Sequence, residues 1–347
     1  MKNSRTKNVV GLDIDPSGVT AVEVSANGRL TIQRAAVAPL EEGIARDGEI
    51  VDVEGLSTAL RDLWKSNRRL GKRVRIGLAS QRIVVRIIEM PVIDDPKELA
   101  TAIQFHAQEH IPMPLESAVL DHVPLDIVDD GDGPRRRIML VAARRETVER
   151  VAAAVRNAGL RVEGIDLASF AMIRALHNSD NDDETVLYLS VGGLTNLAVA
   201  QGTACLFTRV AGGGLEALAV ELAERQGLTL DHARAWLHHV GVVEPVEEIE
   251  GDESIVVEAR RVLLAGGQRI AAEVRNTLDF HNLQATAGPV KRAVLTGPAA
   301  TVPGFASALS AELGLPIDVR TVDGTPPGLD AGRLTVAAGL AITEAVA

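Results

Sequence analysis

The chain has 347 residues, a formal charge of −11 and an apolar content of 46%, of which aromatic residues make up only 2% of the chain. It is too long for one core, so two or more domains built from Val, Leu, Ile and Ala are expected, and its acidity disfavours nucleic acid and anionic lipid as partners. Cys205 is the only cysteine, the basic stretch 1–7 has no apolar segment behind it, and no run approaches the ~18–20 apolar residues of a membrane helix, so the reading is a soluble cytoplasmic protein without disulfides or a cysteine metal cluster.

In chain order, the apolar run from Val9 to Ile14 enters the turn Asp15-Pro16-Ser17-Gly18 and leaves through Val19, Val22 and Val24. That is strand, tight turn, strand. Asn27-Gly28 is a hairpin signal before a third strand at Leu30-Thr31-Ile32. Val53 to Arg69 carries Leu56, Leu60, Leu63 and Trp64 near helical spacing. Val74 to Leu78 and Ile83 to Ile88 read as strands, the second stopped by Pro91. Asp95 as N-cap and Pro96 in the first turn open a helix with Leu99, Ala102, Ile103, His106 and Ala107 on one face. It ends at Ile111-Pro112-Met113-Pro114. Strands Ala118 to Val123 and Arg137 to Ala143 flank the acidic loop Asp129 to Gly133, and a helix from Glu146 to Ala158 ends at Gly159.

A polar linker, Asn178 to Glu184, precedes a second meander: Leu187-Tyr188-Leu189-Ser190-Val191, the small-residue turn Gly192 to Thr195, then Asn196-Leu197, Gln201-Gly202 and Cys205-Leu206-Phe207. Gly212-Gly213-Gly214 leads into a helix ending near Gly227, followed by a short helix, Asp231 to Val240, and an acidic loop, Glu244 to Glu253. Ser254 to Leu283 is a long helix. Strand Ala293 to Thr296 enters the small-residue turn Gly297 to Gly304, a helix runs on to Leu313, and Ala331 to Val346 closes the chain as a helix.

A shift of 177 positions lays Asp13 on Ser190 and Asp15 on Gly192. The duplicated meander implies two similar halves around a cleft. This is similar to the opening of an actin-type nucleotide-binding domain. There, turn N–H groups hold phosphates, and a carboxylate at a strand end holds water around magnesium. On that reading Asp13, Ser17, Gly18, Gly192, Gly193, Thr195, Gly212, Gly213 and Gly297 line a site for ATP, with Asp13 facing Mg.

Further motifs sharpen the resemblance: Glu89-Met90-Pro91, Ala102-Ile103-Gln104-Phe105, His110-Ile111-Pro112-Met113-Pro114-Leu115-Glu116, Leu140 to Arg145, Gly164-Ile165-Asp166 and Arg275 to Phe280. The chain resembles the PilM family of type IV pilus assembly proteins and, more distantly, the division protein FtsA. The implied fold is α/β and actin-like, with duplicated domains flanking a nucleotide cleft and an FtsA-like insertion. The expected divisions are 1–79 for the first half, 80–163 for the insertion, 164–184 for the return and linker, and 185–347 for the second half, helical over about 212–288. The resemblance implies a scaffold at the inner face of the cytoplasmic membrane. It would bind the cytoplasmic N-terminal peptide of a PilN-like partner and self-associate through actin-like end-to-end contacts. Ile83, Val85, Ile87, Ile103 and Phe105 are the expected groove walls.

The departures from the family pattern concern the nucleotide. Asp15-Pro16-Ser17 replaces Gly-Ser-Ser, Thr20 replaces a basic residue, Ser190 replaces Asp, and Pro298 and Ala299 replace glycines. A carboxylate among phosphates repels them, and proline removes a donor. ATP binding is therefore expected to be weak or absent, with negligible hydrolysis. An alternative places Asp15 beside Asp13 as a second metal-facing carboxylate. Two enzyme readings remain open: an active ATPase or kinase of the actin superfamily, with Asp166 as base, and a zinc peptidase built on His106-Ala107-Gln108-Glu109-His110.

Overall fold

The computed structural model describes residues 9–25, 29–129, 131, 133–179, 182–283 and 288–342. The Asn27-Gly28 turn, Asp130 and Asp132 of the acidic loop, part of the 178–184 linker, and the end of the closing helix at Val346 lie outside the described residues.

Two five-stranded sheets repeat one plan. In the first, β1 (Val10–Asp15), β2 (Gly18–Ser25) and β3 (Thr31–Ala38) form an antiparallel meander. On its other edge β1 pairs in parallel with β6 (Arg73–Leu78), and β6 with β10 (Arg161–Leu167). In the second, β11 (Thr185–Val191), β12 (Thr195–Gln201) and β13 (Ala204–Ala211) form the meander, and β14 (Arg292–Thr296) and β15 (Ile317–Val319) add in parallel. The strand orders are β3-β2-β1-β6-β10 and β13-β12-β11-β14-β15. The equivalence extends to register: Asp13 lies opposite Thr20, and Ser190 opposite Asn196.

Both faces of β11 are buried, so its run is apolar almost throughout. Leu187, Leu189 and Val191 enter the core of the second half, whereas Val186 and Tyr188 join the core of the first. This is the period-2 alternation of a strand feeding two layers. With few aromatics, those cores are aliphatic; Trp64 and Phe305 are exceptions.

A two-stranded ribbon, β4 (Ala45–Arg46) with β5 (Glu49–Ile50), precedes α1 (Val53–Ser66). Asp52 caps α1 by accepting from the N–H groups of Glu54 and Gly55, and Leu56, Leu60, Leu63 and Trp64 enter the first core. The small sheet is β7 (Val84–Pro91), β9 (Pro134–Arg144) and β8 (Ala118–Asp129), in the order β7-β9-β8. β7 runs through Pro91, which is an end residue on an edge strand, so its missing N–H costs no ladder bond. α2 (Pro96–His110) covers one face of this sheet, with Ile103 and Ala107 packed on Ile88, Met90, Ile138 and Leu140.

α3 (Arg145–Asn157) places Val151, Ala154 and Val155 in the first core beside α1, and β10 edges the first sheet. The stretch 145–163 thus packs with the first half, although the sequence places it in the insertion. α4 (Ala168–Leu176) follows and is buried along Ala171, Met172 and Ile173. In the second half, α5 (Leu215–Gln226), α6 (Leu230–Val240), α7 (Glu253–Leu283) and α8 (Phe305–Leu313) build one core with the sheet. The chain returns through α9 (Ala331–Ala341), which packs against the first sheet and α4.

Candidate functional site

Five segments converge between the halves. They are the β1–β2 turn, the start of the loop after β6 at Ala79, the β11–β12 turn, the loop after β14 and the N-terminus of α9. Together they line a cavity of about 20 Å³ with Asp13, Asp15, Ser17, Ser190, Gly192, Asn196, Gly297 and Arg333 among its walls.

The first turn is shaped by its own aspartate. Asp15 Oδ1 accepts from the Ser17 N–H at 2.9 Å and from Ser17 Oγ at 2.6 Å, an Asx-type turn. The same carboxylate crosses the cleft. Gly193 N–H reaches both of its oxygens at 3.0 Å, and Leu194 N–H reaches Oδ2 at 3.3 Å. Arg333, in the first turn of α9, donates to Ser17 Oγ from the far side. The second turn is held independently. Gly192 N–H donates to Leu194 O at 2.9 Å, and Gly192 O accepts from Glu216 N–H of α5 at 3.2 Å.

Asp13 sits two pairs deeper on β1. Its carboxyl pKa is pushed from 3.8 up to about 7, first by burial and then by the neighbouring charge of Asp15; Arg333 and the Ile14 N–H pull it partway back. Its solvent-accessible surface is small but not zero, and that remainder faces the cavity. Asn196 is 7% exposed, lines the same cavity, and its Oδ1 has no hydrogen-bond partner.

Of the expected nucleotide-site residues, Asp13, Ser17, Gly192 and Gly297 line this cavity, and Gly193 abuts it through Asp15. The others are placed elsewhere. A Cβ on Gly18 would meet the Ala38 carbonyl, so that glycine faces β3. Thr195 donates through Oγ1 to Gly213 O at 3.0 Å, tying its strand to the 212–214 turn. Gly212 and Gly213 are exposed, with Gln81 against Gly212. As folded, the space left in the cleft is about one water volume, and the Gly193 and Leu194 N–H groups of the second turn are engaged by Asp15. The Asp15 carboxylate, the alternative second metal-facing group, is aimed at backbone donors of the second turn. Arg333 was missed by sequence reasoning. A lone arginine some 300 positions from Asp15 carries no local signal; only the helix start at Asp330, which caps Gly332 and Arg333, marks its turn.

Of the expected groove walls, Val85 and Ile87 share one face of β7, with Ile83 just before it packed on the same core as Val85, whereas Ile103 and Phe105 lie on α2. Ile103 is 2% exposed inside the small domain's core, and Val85 packs into the first core. Ile83 precedes β7, in the loop anchored by its N–H to Ser80 O. Ile87 is half-buried on β7, and Phe105 is 63% exposed on α2. A different cleft, of about 1520 Å³, opens where the small sheet, α4 and the β12–β13 hairpin meet. Val123, Leu125, Met139, Phe170 and Ile173 form its apolar lining.

His106, Glu109 and His110 do come together, their ligand atoms within 4.8 Å. With Glu109 as general base, only two protein ligands remain, short of the three that hold a catalytic zinc. Asp166 accepts from the Leu167 N–H and pairs with Arg174, so it is engaged in structure rather than free as a base. Cys205 is core, its thiol pushed up to about 12 by burial. Among the described residues, no helix is long and apolar enough to cross a membrane.

A family model described as type IV pilus assembly protein PilM matches residues 11–323. The structure of a PilM-PilN type IV pilus biogenesis complex is similar over 96% of this chain and 97% of that one, at 26% identity and a TM-score of 0.79. Cell division protein FtsA of Streptococcus pneumoniae serotype 2 is 23% identical, across 85% of this chain and 71% of its own length. MreB5 of Spiroplasma citri bound to ADP aligns over 96% of this chain and 95% of that one, at 13% identity and a TM-score of 0.51, a likeness of fold alone. The fold is that of the actin-like ATPases, and the paired sheets are its duplicated halves.

Proposed function

The chain belongs to the PilM family of type IV pilus assembly proteins, and from that premise we propose that it is a scaffold that grips a peptide of a PilN-like membrane protein. The observation that carries this reading is the 1520 Å³ cleft, whose wall on the small-sheet and α4 side is apolar and whose other wall carries charged and polar side chains such as His177, Asp182 and Arg320. It lies where the small sheet, α4 of the first half and the β12–β13 hairpin of the second half meet. Its size suits a short chain segment rather than a metabolite. Docking there would hold the protein beneath the membrane without a span of its own.

On the same reading the nucleotide cleft is degenerate. An actin-like fold carries ADP in the MreB5 structure. Here an incoming phosphate would have to displace Asp15 from Gly193 and Leu194, contacts of a charged acceptor that contribute about 1.5–3 kcal/mol each. ATP binding is accordingly weak or absent, and the protein works as a platform rather than as an ATPase. The test is calorimetric titration of the full chain with a synthetic peptide of the N-terminal cytoplasmic segment of a PilN-like protein, paired with hydrogen exchange. Saturable binding that protects β8 and α4 supports the reading; binding that protects only α2 and β7 would move the partner site, and no binding would remove it.

A further inference from the structure

Asp15 lies in the turn that, on the actin-like resemblance, would face nucleotide phosphate, and its partners are backbone N–H donors of the kind that bind anions. Consecutive N–H groups at Gly193 and Leu194 converge on it, the geometry of an anion nest. On its own side it is held by the Ser17 N–H and hydroxyl, and Arg333 backs that hydroxyl. The fit is close: a Cβ built on Gly193 would lie 2.0 Å from Asp15 Oδ1. The second turn would keep its shape without this contact, because Gly192 is bonded separately to Leu194 and to α5. The nest is therefore preformed, and the carboxylate occupies it.

We infer that Asp15 is a built-in substitute for a nucleotide phosphate: it fills the anion nest of the opposite half and latches the cleft shut without a ligand. The inference rests on the reading of this cleft as a nucleotide site in origin. It adds that charge repulsion is not the main effect of Asp15. A carboxylate that merely repelled phosphate would turn toward solvent or Arg333, whereas this one accepts three hydrogen bonds from two backbone donors across the cleft. The unpaired Asn196 Oδ1 in the remaining space is a vestige consistent with a polar ligand site.

The experiment is hydrogen–deuterium exchange on the full chain, wild type beside Asp15→Ala and the isosteric Asp15→Asn, followed over segments 187–197 and 10–20. The latch predicts at least tenfold faster exchange at the Gly193 and Leu194 amides in Asp15→Ala, a smaller rise in Asp15→Asn, and unchanged exchange in β6 and β14. Unchanged exchange at those two amides in both variants overturns the inference. Mg-ATP, with pyrophosphate as a simpler anion, is then added to Asp15→Ala. Renewed protection of the same amides supports phosphate mimicry. Faster exchange that neither anion reverses leaves the latch standing and overturns the nucleotide reading beneath it.

Discussion

Asp15 and Gly193 join the two halves of the chain: one backbone N–H meets both oxygens of one carboxylate at 3.0 Å, across 178 positions of sequence. Gly193→Ala should therefore destabilise the protein although it adds only a methyl group. The new Cβ would displace the carboxylate and forfeit its bonds. A loss of about 1.5–3 kcal/mol is expected, read as a lower urea midpoint. Gly267→Ala is the control. It lies in α7, where the nearest atom to a new Cβ is 3.8 Å away, and helix propensity alone predicts a gain approaching ~1 kcal/mol. Equal stability of Gly193→Ala and wild type would mean that the cross-cleft contact contributes nothing.

Asp13 should make stability depend on pH. Its folded pKa, about 7, lies above the ordinary 3.8. The folded state thus keeps a proton that the unfolded chain releases. Stability from this group is fully present below about pH 4, declines as pH rises toward 7, and is then level. The slope is on the order of 1.4 kcal/mol per pH unit at most, and smaller where solvent reaches the carboxyl. Asp13→Asn removes the charge and keeps the shape. Its melting temperature should exceed that of the wild type at pH 8 and match it near pH 4. The opposite order would show that Asp13 is stabilised as the carboxylate.

Two exposed side chains separate the two candidate partner surfaces. Val123, 47% exposed on β8, lines the large cleft; Phe105, 63% exposed on α2, does not. Val123→Glu should weaken binding of the PilN-like peptide at least tenfold, or about 1.4 kcal/mol, because it sets a charge in an apolar wall. Phe105→Ala should leave the affinity unchanged. Neither residue is core, so the melting temperatures should stay within a degree or two of the wild type. The reverse pattern would restore the α2 surface as the docking site.

These surfaces also mark where the sequence is legible. The two meanders can be read because short apolar runs are broken by small-residue turns, and the Asp95-Pro96 start of α2 can be read because a cap needs only neighbours. β10 cannot: Arg161 and Glu163 interrupt its apolar pattern, and its place on the first sheet comes from parallel pairing with β6. The groove is illegible for a similar reason, since its walls come from β8, β9, α4, the β12–β13 hairpin and the segment 319–323. Ile103 and Phe105 are two apart on one helix, and only the packed sheet decides that the first is core and the second is surface. At Asp15 the charge is evident from sequence but its target is not, because Gly193 comes within reach only after both halves have folded.

The closing helix α9 offers a sharper test of how the halves are held. It runs from the cleft, where Arg333 meets Ser17, to β6, where Arg75 donates to the Ile342 carbonyl. Its small residues allow backbones to touch. A Cβ on Gly339 would lie 1.9 Å from the Ala171 carbonyl oxygen of α4, and one on Gly11 of β1 would lie 1.8 Å from that of Ala337. In an isolated helix Gly→Ala gains up to about 1 kcal/mol. At position 339 overpacking should reverse that sign, costing about 1–3 kcal/mol, because the obstacle is backbone and cannot rotate away. Gly339→Ala should lower the melting temperature and speed exchange in α4 as well as α9. If it proves as stable as the wild type, α4 and α9 are not in contact at this point, and the route by which α9 couples the cleft to the first sheet must lie elsewhere.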